Sequence, residues 1–431
     1  MQNRGSINIG LIGLGVIGSG VVKILNEKAD RITRQVGTHL VLKSAADLDE
    51  SRKDTLSDSS VFTTDALSLI ENPDIDIVIE LIGGETPAKD YIKEAILCGK
   101  HVVTANKEVL AKHGPELLAM AGEHRVGLLY EASVGGGIPL IGPLKRNLQI
   151  NNISAIHTII NGTTNYILTR MEKEGLEFAA ALKEAQSLGY AEADPTNDIE
   201  GFDAAYKIAI LATIAFHTDI RPDDVFHEGI SRIASQDFRY AKELGYAIKL
   251  LAIAKKENSA VQARVHPVFI PDDILLAKVD GVFNAVQIEG DLSGKVLFYG
   301  RGAGAEPTAN VIVADAIHLA QNINTGNSEK PELPFDERRI VKPMEDIETR
   351  YYIRMTIADQ PGVLAQITKV LGEYSISISS AIQKETDRTS QSAEIVIMTH
   401  PAKEQAMQQA LRQMEGLEVV REISNLIRVE G

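Results

Sequence analysis

Acidic residues and one lysine crowd a short stretch of the chain, from Gly189 to Lys207. The stretch is rich in Gly and Pro at first and then leads into an apolar run. Asp203 and Lys207 are four residues apart, which places both on one face of a helix. That predicted helix is otherwise apolar on every side, and such a helix is buried. A buried lysine and carboxylate are costly unless paired, and a desolvated lysine can transfer a proton near neutral pH. The stretch therefore predicts an acid–base pair, with an exposed ion pair as the alternative.

A glycine motif of the form G-x-G-x-x-G follows the first strand-like run, Ile7–Ile12, and opens a helix. This is the setting in which the motif binds a dinucleotide. The first glycine makes the tight turn, the second lets the backbone approach a pyrophosphate, and the third allows close packing of helix on strand. We expect a dinucleotide site rather than a plain turn, formed by Gly13, Leu14, Gly15, Val16, Ile17 and Gly18.

Asp47 ends the second predicted strand, His39–Ala46, where an acid can bind the ribose of the dinucleotide. It lies 34 residues after Gly13, whereas the usual spacing is about 20. We therefore expect an insertion at residues 26–38. An aspartate at this position favours a ribose 2′-hydroxyl over a 2′-phosphate, and a solvated loop acid is the alternative.

Three further segments are candidates for ligand contact. Thr104 and Lys107 end a predicted strand, where open α/β sheets hold ligands, although a surface lysine is the alternative. Gly302 and Glu306 lie in a second glycine-rich turn, which either faces the cofactor as a backbone nest or is purely structural. Thr163 belongs to the polar segment 161–165, for which a helix cap is favoured over a ligand contact.

The elements that must position these residues follow from the periodicity of apolar residues. Strand-like and helix-like segments alternate through residue 130, which predicts a parallel, doubly wound sheet. Strands mixed with long helices predict an α+β domain over about 135–303. A β-α-β-β-α-β order from Tyr351 to Val429 predicts a ferredoxin-like unit. The expected domains are 1–134 for dinucleotide binding with a return segment at about 304–323, 135–303 for catalysis, a linker at 324–348 and 349–431.

Composition excludes several classes of protein. The 431 residues correspond to about three domains. With 44 Lys+Arg against 59 Asp+Glu, the net charge of −15 argues against nucleic-acid binding. No apolar run approaches the roughly 18 residues that span a bilayer, and no secretory signal is visible, so we expect a cytoplasmic protein. The single cysteine, Cys98, excludes an internal disulfide or a Cys-cluster metal site.

Taken together, these motifs resemble those of the homoserine dehydrogenase family, in the form that carries a C-terminal ACT domain. The resemblance covers essentially the whole chain. Beyond the first glycine motif, the matching segments are residues 99–107, 130–139, 161–165, 189–207, 280–285, 302–308 and 359–362.

The resemblance implies an NAD(P)-dependent, reversible reduction of L-aspartate 4-semialdehyde to L-homoserine, in the biosynthesis of threonine, methionine and isoleucine. Lys207 then resembles the acid–base residue, and Asp203 the carboxylate that positions it and the substrate. Gly189, Glu192 and Thr163 resemble substrate-binding residues, and Lys107 is placed between nicotinamide and substrate.

The family has a monovalent-cation site, which we expect to hold Na⁺. The residues that resemble this site are Glu131, Val134, Gly136 and Ile138. An ACT-like domain implies regulation by an amino acid, here threonine, and assembly into a homodimer or homotetramer.

One departure from the family bears on the cofactor. Many members carry Arg or Lys where this chain has Ala46, which tilts the expectation towards NAD or dual use. Lys43, Arg52 and Lys53 keep NADP open.

Two other classes of function are weighed against the dehydrogenase. A semialdehyde dehydrogenase acting through a thioester needs a nucleophilic cysteine, and the only candidate is Cys98, away from the acidic stretch. A non-catalytic amino-acid sensor would not need the Asp203–Lys207 pair.

Overall fold

The structure of the chain is a computed structural model that describes residues 5–258, 260–327, 340–387 and 391–431. The chain divides into two compact units. Unit 1 comprises Met1–Ile156, Tyr206–Asp224 and Asn284–Arg339, and unit 2 comprises His157–Ala205, Val225–Phe283 and Ile340–Gly431. Among the helices described, none combines the length and the apolar character needed to cross a membrane.

The first stretch of unit 1 alternates strands and helices as predicted. Its strands form a six-stranded sheet in the order β3-β2-β1-β4-β5-β6, and every neighbouring pair is parallel. This is the strand order of a dinucleotide-binding sheet, with the switch point between β1 and β4. The elements are β1 (Ser6–Ile12), α1 (Val16–Glu27), α2 (Ala29–Val36), β2 (His39–Ala46), β3 (Phe62–Thr63), α3 (Ala66–Glu71), β4 (Ile77–Glu80), α4 (Ala88–Leu97), β5 (His101–Thr104), α5 (Lys107–Glu123) and β6 (Leu128–Leu129).

The expected insertion at residues 26–38 is a helix, α2. It buries Ile32 and Val36, and Gly37 ends it in the left-handed conformation with φ 85°. This extra helix separates α1 from β2 along the chain and so accounts for the long spacing between Gly13 and Asp47.

The middle stretch mixes helices and strands, as expected of an α+β region. Its elements are α6 (Ile141–Arg146), β7 (Ile153–Ile159), α7 (Gly162–Glu174), α8 (Phe178–Ser187), α9 (Thr196–Ile199), α10 (Phe202–Phe216), β8 (Phe226–His227), α11 (Ser235–Leu244), β9 (Tyr246–Glu257), β10 (Ala260–Pro271), β11 (Phe283–Gly290), β12 (Gly294–Arg301) and α12 (Ala305–Thr325). Within unit 1, α12 packs closely on α1: a Cβ at Gly20 would lie 3.1 Å from the Cβ of Ala309.

The last stretch has the predicted β-α-β-β-α-β order. The sheet order β18-β14-β16-β15, with antiparallel neighbours, is that of a ferredoxin-like unit. The elements are β13 (Ile340–Val341), β14 (Glu348–Ala358), α13 (Val363–Glu373), β15 (Ile378–Asp387), β16 (Ser392–Thr399), β17 (Ala402–Lys403), α14 (Glu404–Glu415) and β18 (Val420–Val429).

The predicted linker, 324–348, differs from the structure at both ends. Helix α12 continues to Thr325, and β13 and the start of β14 occupy the end of the segment. Residues 328–339 lie outside the described residues.

Unit 2 joins the ferredoxin-like strands to a long hairpin. Strands β9 and β10 pair antiparallel over their whole length. The end of β18 then pairs parallel with β10, with Val268 opposite Arg428 and Phe269 opposite Val429. The last strand of the chain is therefore shared between the two parts of this unit.

Candidate active site

The glycine motif of unit 1 has the geometry that a dinucleotide loop needs. Gly13 has φ +97°, and a Cβ there would lie 2.9 Å from the Leu81 carbonyl. A Cβ at Gly18 would lie 2.0 Å from the oxygen of Gly13, so only glycine allows α1 to pack this close. A Cβ at Gly15 would meet nothing within 4 Å, so the backbone there faces open space. The loop therefore fits a pyrophosphate at the N-terminus of α1.

Asp47 directly follows β2, as predicted, and it lies against this loop. Its carboxylate accepts hydrogen bonds from the amides of Leu14 (2.7 Å) and Asp49 (3.0 Å), and it is half-buried. The amide of Gly13 also donates to the carbonyl of Ala46 at 2.8 Å. The end of β2 and the glycine loop are thus held together by two backbone donors, the amides of Gly13 and Leu14.

A buried carboxyl, Glu80, ties together the loops after β4 and β5. Its oxygens accept from the Thr104 hydroxyl at 2.5 Å and the Ile82 amide at 2.7 Å. Glu80 is 0% exposed, and burial raises its pKa to about 7. Asn106 completes the link, because its side-chain amide donates to the carbonyls of Ile82 (3.1 Å) and Gly84 (2.7 Å).

Sequence reasoning singled out Thr104 but missed Glu80 and Asn106. The hydroxyl of Thr104 is committed to Glu80 and the whole residue is 0% exposed, so cofactor contact by Thr104 remains a prediction. The available signal for Glu80 was a carboxyl at the end of an otherwise apolar strand, β4.

The start of α5 leads from this edge of the sheet towards α10. Lys107 is the first residue of α5 and is half-buried. One turn further on, Lys112 forms ion pairs with Glu85 (2.8 Å) and Glu108 (2.7 Å). The Lys112 Nζ also lies 5.8 Å from the centre of the Tyr206 ring. Since Lys207 follows Tyr206, the part of α10 in unit 1 begins beside the loop that carries Glu85. Hydrogen bonds from Lys112 and His113 lower the pKa of Glu85 to about 2.

The second glycine-rich turn packs against the loop 135–137. A Cβ at Gly136 would lie 2.3 Å from the oxygen of Gly302, and the amide of Gly137 donates to the Arg301 carbonyl at 3.3 Å. Glu306 pairs with Lys23 of α1 at 2.9 Å in an exposed ion pair. These contacts favour the structural alternative for this turn, and cofactor contacts by Gly302 and Glu306 remain predictions.

Glu131, a predicted cation ligand, caps α6. Its carboxylate accepts from the amides of Leu140, Ile141 (2.6 Å) and Gly142 (2.6 Å). Its own amide donates to Asp315 at 3.0 Å, and burial raises the pKa of Asp315 to about 7.

The other three predicted cation ligands are buried residues of the same loop. Their carbonyl oxygens accept no hydrogen bond from the part of the chain that the structure describes; the residues are Val134, Gly136 and Ile138. Buried carbonyls without amide partners suit a hard cation, because an unpaired buried polar group is otherwise costly.

In unit 2, Asn161 joins two carboxylates of the acidic stretch. Its side-chain amide donates to Asp198 at 2.6 Å and to Asp203 at 2.9 Å. Its side-chain oxygen accepts from the amide of Thr164 at 2.9 Å and so caps α7. The favoured sequence interpretation, a helix cap, is therefore correct but incomplete. Asn161 and Asp198 are site residues that sequence reasoning did not commit to.

The predicted substrate residues of unit 2 lie around the same loop. The hydroxyl of Thr163 donates to the carbonyl of Tyr190 at 2.7 Å, just after Gly189, which has φ +75°. Glu192 is exposed and its carbonyl accepts from Gln186 at 3.1 Å, so its carboxylate takes no part in that bond.

The two residues predicted for proton transfer lie one turn apart on α10, and their burial differs. Asp203 is 4% exposed, as predicted. Lys207 is half-buried, whereas the apolar pattern predicted burial. Residues 203–205 and Ile208 are buried, so the half-buried Tyr206 and Lys207 interrupt the buried residues of α10.

Cys98 is poorly placed to be a nucleophile. It follows α4 and precedes β5, at the amino edge of the sheet rather than the carboxyl edge. Desolvation and the neighbouring Glu94 raise the pKa of its thiol. This geometry disfavours thioester chemistry, which needs a thiolate at the site.

Comparison with known proteins agrees with this site. The profile described as "Homoserine dehydrogenase, NAD binding domain" matches residues 13–131, "Homoserine dehydrogenase" matches 139–317 and "ACT domain" matches 351–419. The homoserine dehydrogenase of Neisseria gonorrhoeae is 43% identical over 431 residues, covering 99% of both chains.

Solved structures of homoserine dehydrogenases also match this chain. A homoserine dehydrogenase from Thiobacillus denitrificans superposes with a TM-score of 0.93 at 42% identity, over 99% of this chain and 98% of that one. A hyperthermophilic archaeal homoserine dehydrogenase in complex with NADPH has a TM-score of 0.62 at 30% identity, over 73% of this chain and 97% of that one. The predicted resemblance is confirmed: the chain belongs to the homoserine dehydrogenase family, NAD(P)-dependent oxidoreductases that interconvert L-aspartate 4-semialdehyde and L-homoserine, in the form with a C-terminal ACT domain.

Proposed function

We propose that Lys207 is the acid–base residue of this dehydrogenase and that Asp203 positions it and the substrate. Gly189, Glu192 and Thr163 bind the amino-acid end of the substrate. The observation that carries the proposal is that α10 presents both groups on one face, with Asp203 buried and fixed by Asn161. A carboxylate held in this way cannot turn away from its neighbours, which is what a positioning group requires.

The chain's part in the reaction is to orient the substrate and to move one proton. When bound, the nicotinamide supplies or takes the hydride at carbon 4 of the substrate. In reduction, the ammonium of Lys207 gives a proton to the aldehyde oxygen, so hydride and proton together give the alcohol. In oxidation, the neutral amine of Lys207 takes the hydroxyl proton. Lys107, at the start of α5, lies in the unit that contains the glycine loop and is proposed to contact both nicotinamide and substrate.

We propose that the enzyme uses NAD or both cofactors. Ala46 offers no cation to a 2′-phosphate. Two nearby cations already face carboxylates, since Lys43 lies 3.8 Å from Asp74 and Arg52 lies 3.3 Å from Asp49. The archaeal relative is bound to NADPH, which supports NADP as a second cofactor for this chain.

We propose a monovalent cation, Na⁺, in the loop that begins at Glu131. No group of three His, Cys, Asp or Glu side chains that could hold a metal occurs among the described residues. A cation here therefore depends on the carbonyls of Val134, Gly136 and Ile138, with the carboxylate of Glu131 as the charged partner. The lone pairs that Glu131 does not use for amides remain for the ion.

We propose threonine as the effector of the ACT domain, at the turn Asp359–Gly362 before α13. Gly362 has φ +90° and leaves the N-terminus of α13 to receive a carboxylate.

A homodimer or homotetramer is proposed on the evidence of β12, which ends its sheet and carries Tyr299 with 55% exposure. An exposed apolar edge strand is a surface that a second copy can cover. We propose the domain division given above, except that the ends of the segment 324–348 belong to α12, β13 and β14. We also propose that the enzyme works in the cytoplasm, where its nicotinamide cofactor is available.

The variant Lys207→Met tests the catalytic assignment. Loss of the acid–base group should lower kcat for homoserine oxidation by roughly 10²- to 10⁴-fold, followed at 340 nm. Nicotinamide binding, measured by fluorescence titration, should be unchanged. Lys183→Met is the matched control, because Lys183 is an exposed lysine of α8. Near-wild-type kcat in Lys207→Met would refute the assignment.

A further inference from the structure

Arg428, on the last strand of the ACT domain, contacts the catalytic region within unit 2. Its Nη1 donates to Glu228 at 2.7 Å, and its guanidinium lies 5.3 Å from the centre of the Phe226 ring. Its remaining donors bind Glu404 at 2.8 and 2.6 Å. The Arg428 side chain is 3% exposed, so the guanidinium is held between a carboxylate of the ACT domain and one of the catalytic region.

The segment that carries Glu228 holds the turn between α9 and α10. The amide of Ile230 donates to the carbonyl of Ile199 at 2.9 Å. The rings of His227 and Phe202 lie 4.3 Å apart. A Cβ at Gly229 would lie 2.4 Å from the oxygen of Ile199, so the two backbones are in direct contact. A shift of this segment must therefore shift the turn.

The turn, residues 199–202, separates the two carboxylates that Asn161 holds. Asp198 precedes it and Asp203 follows it, and both accept from the same amide nitrogen at 2.6 and 2.9 Å. Contacts therefore run without a gap from Arg428 through Glu228 to the carboxylate proposed to position the substrate.

We propose that Arg428 and Glu228 are positioning residues for the acidic turn, so that the last strand of the ACT domain sets the geometry of the substrate carboxylates. The proposal rests on the role proposed above for Asp203. Arg428 and Glu228 affect the binding of the substrate and not that of the nicotinamide, because none of the contacts that carry the effect involves the glycine loop.

The test uses the full-length enzyme with Glu228→Ala. The side chain of Glu228 is 36% exposed and Arg428 keeps Glu404, so the variant should fold. We expect the KM for homoserine to rise about fivefold, within the range that mutations along such contacts produce. The KM for the nicotinamide should stay at its wild-type value. Glu228→Gln keeps an acceptor for Arg428, so most of the rise in the KM for homoserine should be absent in this variant.

Tyr240→Phe is the matched control. Tyr240 on α11 also reaches the ACT sheet, through a 2.5 Å hydrogen bond to Glu394, but it lies outside the segment that holds the turn. A wild-type KM for homoserine in Glu228→Ala would overturn the proposal. An equal rise in the KM for homoserine and the KM for the nicotinamide would also overturn it. The same rise in the KM for homoserine in Tyr240→Phe would overturn it as well. Asp203→Asn distinguishes failure of the role proposed for Asp203 from failure of the role proposed for Arg428 and Glu228. If Asp203→Asn retains full activity, the role of Asp203 fails, whatever Glu228→Ala shows.

Discussion

Glu80 should make unit 1 less stable as the pH rises from about 4.5 to about 7. Its carboxyl is fully buried below the carboxyl edge of the sheet, and burial raises its pKa from 4.5 to about 7. The folded state therefore holds this proton more tightly than the unfolded state does. The resulting stabilisation is fully present below pH 4.5 and is lost as the pH rises through 7.

The size of the effect follows from the shift. A change of about 2.5 pKa units corresponds to about 3 kcal/mol. A unit of roughly 200 residues changes its Tm by about 2–4 °C per kcal/mol, so the expected change is roughly 6–12 °C. Glu80→Gln cannot ionise and should lack this component. The Tm of the wild type minus that of Glu80→Gln should therefore fall by about this amount between pH 4 and pH 8.5.

The assay is thermal unfolding of both proteins, without cofactor, at closely spaced pH values. The buried carboxyl of Asp315, whose pKa is also raised to about 7, is present in both proteins and cancels in the difference. Glu116→Gln, an exposed carboxyl of α5, is the control and should give a flat difference. A flat difference for Glu80→Gln as well would show that Glu80 ionises as it does in water, and the reasoning from burial would be wrong.

Two further changes test the site. Asn161→Ala should lower kcat/KM for homoserine by roughly 10- to 100-fold, because Asp198 and Asp203 lose their shared donor, while the nicotinamide titration stays unchanged; wild-type kcat/KM would contradict it. Ala46→Arg should raise kcat/KM with NADPH relative to NADH, because an arginine beside Asp47 can bind a 2′-phosphate. An unchanged cofactor ratio in parallel initial-rate measurements would show that the end of β2 does not select the cofactor.

Much of the fold could be predicted from the sequence because local patterns determine it. The alternation of elements through residue 130, the glycine motif at Gly13 and the order of the ACT strands all depend on periodicity and turn chemistry. The linker predicted at 324–348 is an exception, because helix α12 continues to Thr325 and strands β13 and β14 occupy the end of the segment.

The site was predicted less completely, since its missing parts depend on contacts between distant segments. Asn161 meets Asp198 and Asp203 across about forty residues of chain, and no local pattern shows that one amide serves both. Glu80 and Thr104 meet across neighbouring strands for the same reason. The half-buried state of Lys207 likewise depends on what packs against this turn of α10, which the helical pattern alone did not show.

Chemical rescue tests the proposal that the proton in this reaction passes through Lys207. The measurement is the rate of L-aspartate 4-semialdehyde reduction by Lys207→Ala, followed at 340 nm with increasing methylammonium. We expect a nearly inactive variant whose rate rises with the amine concentration, while the wild type does not respond. A variant that the amine does not restore, or one that is active without it, would show that Lys207 does not transfer the proton.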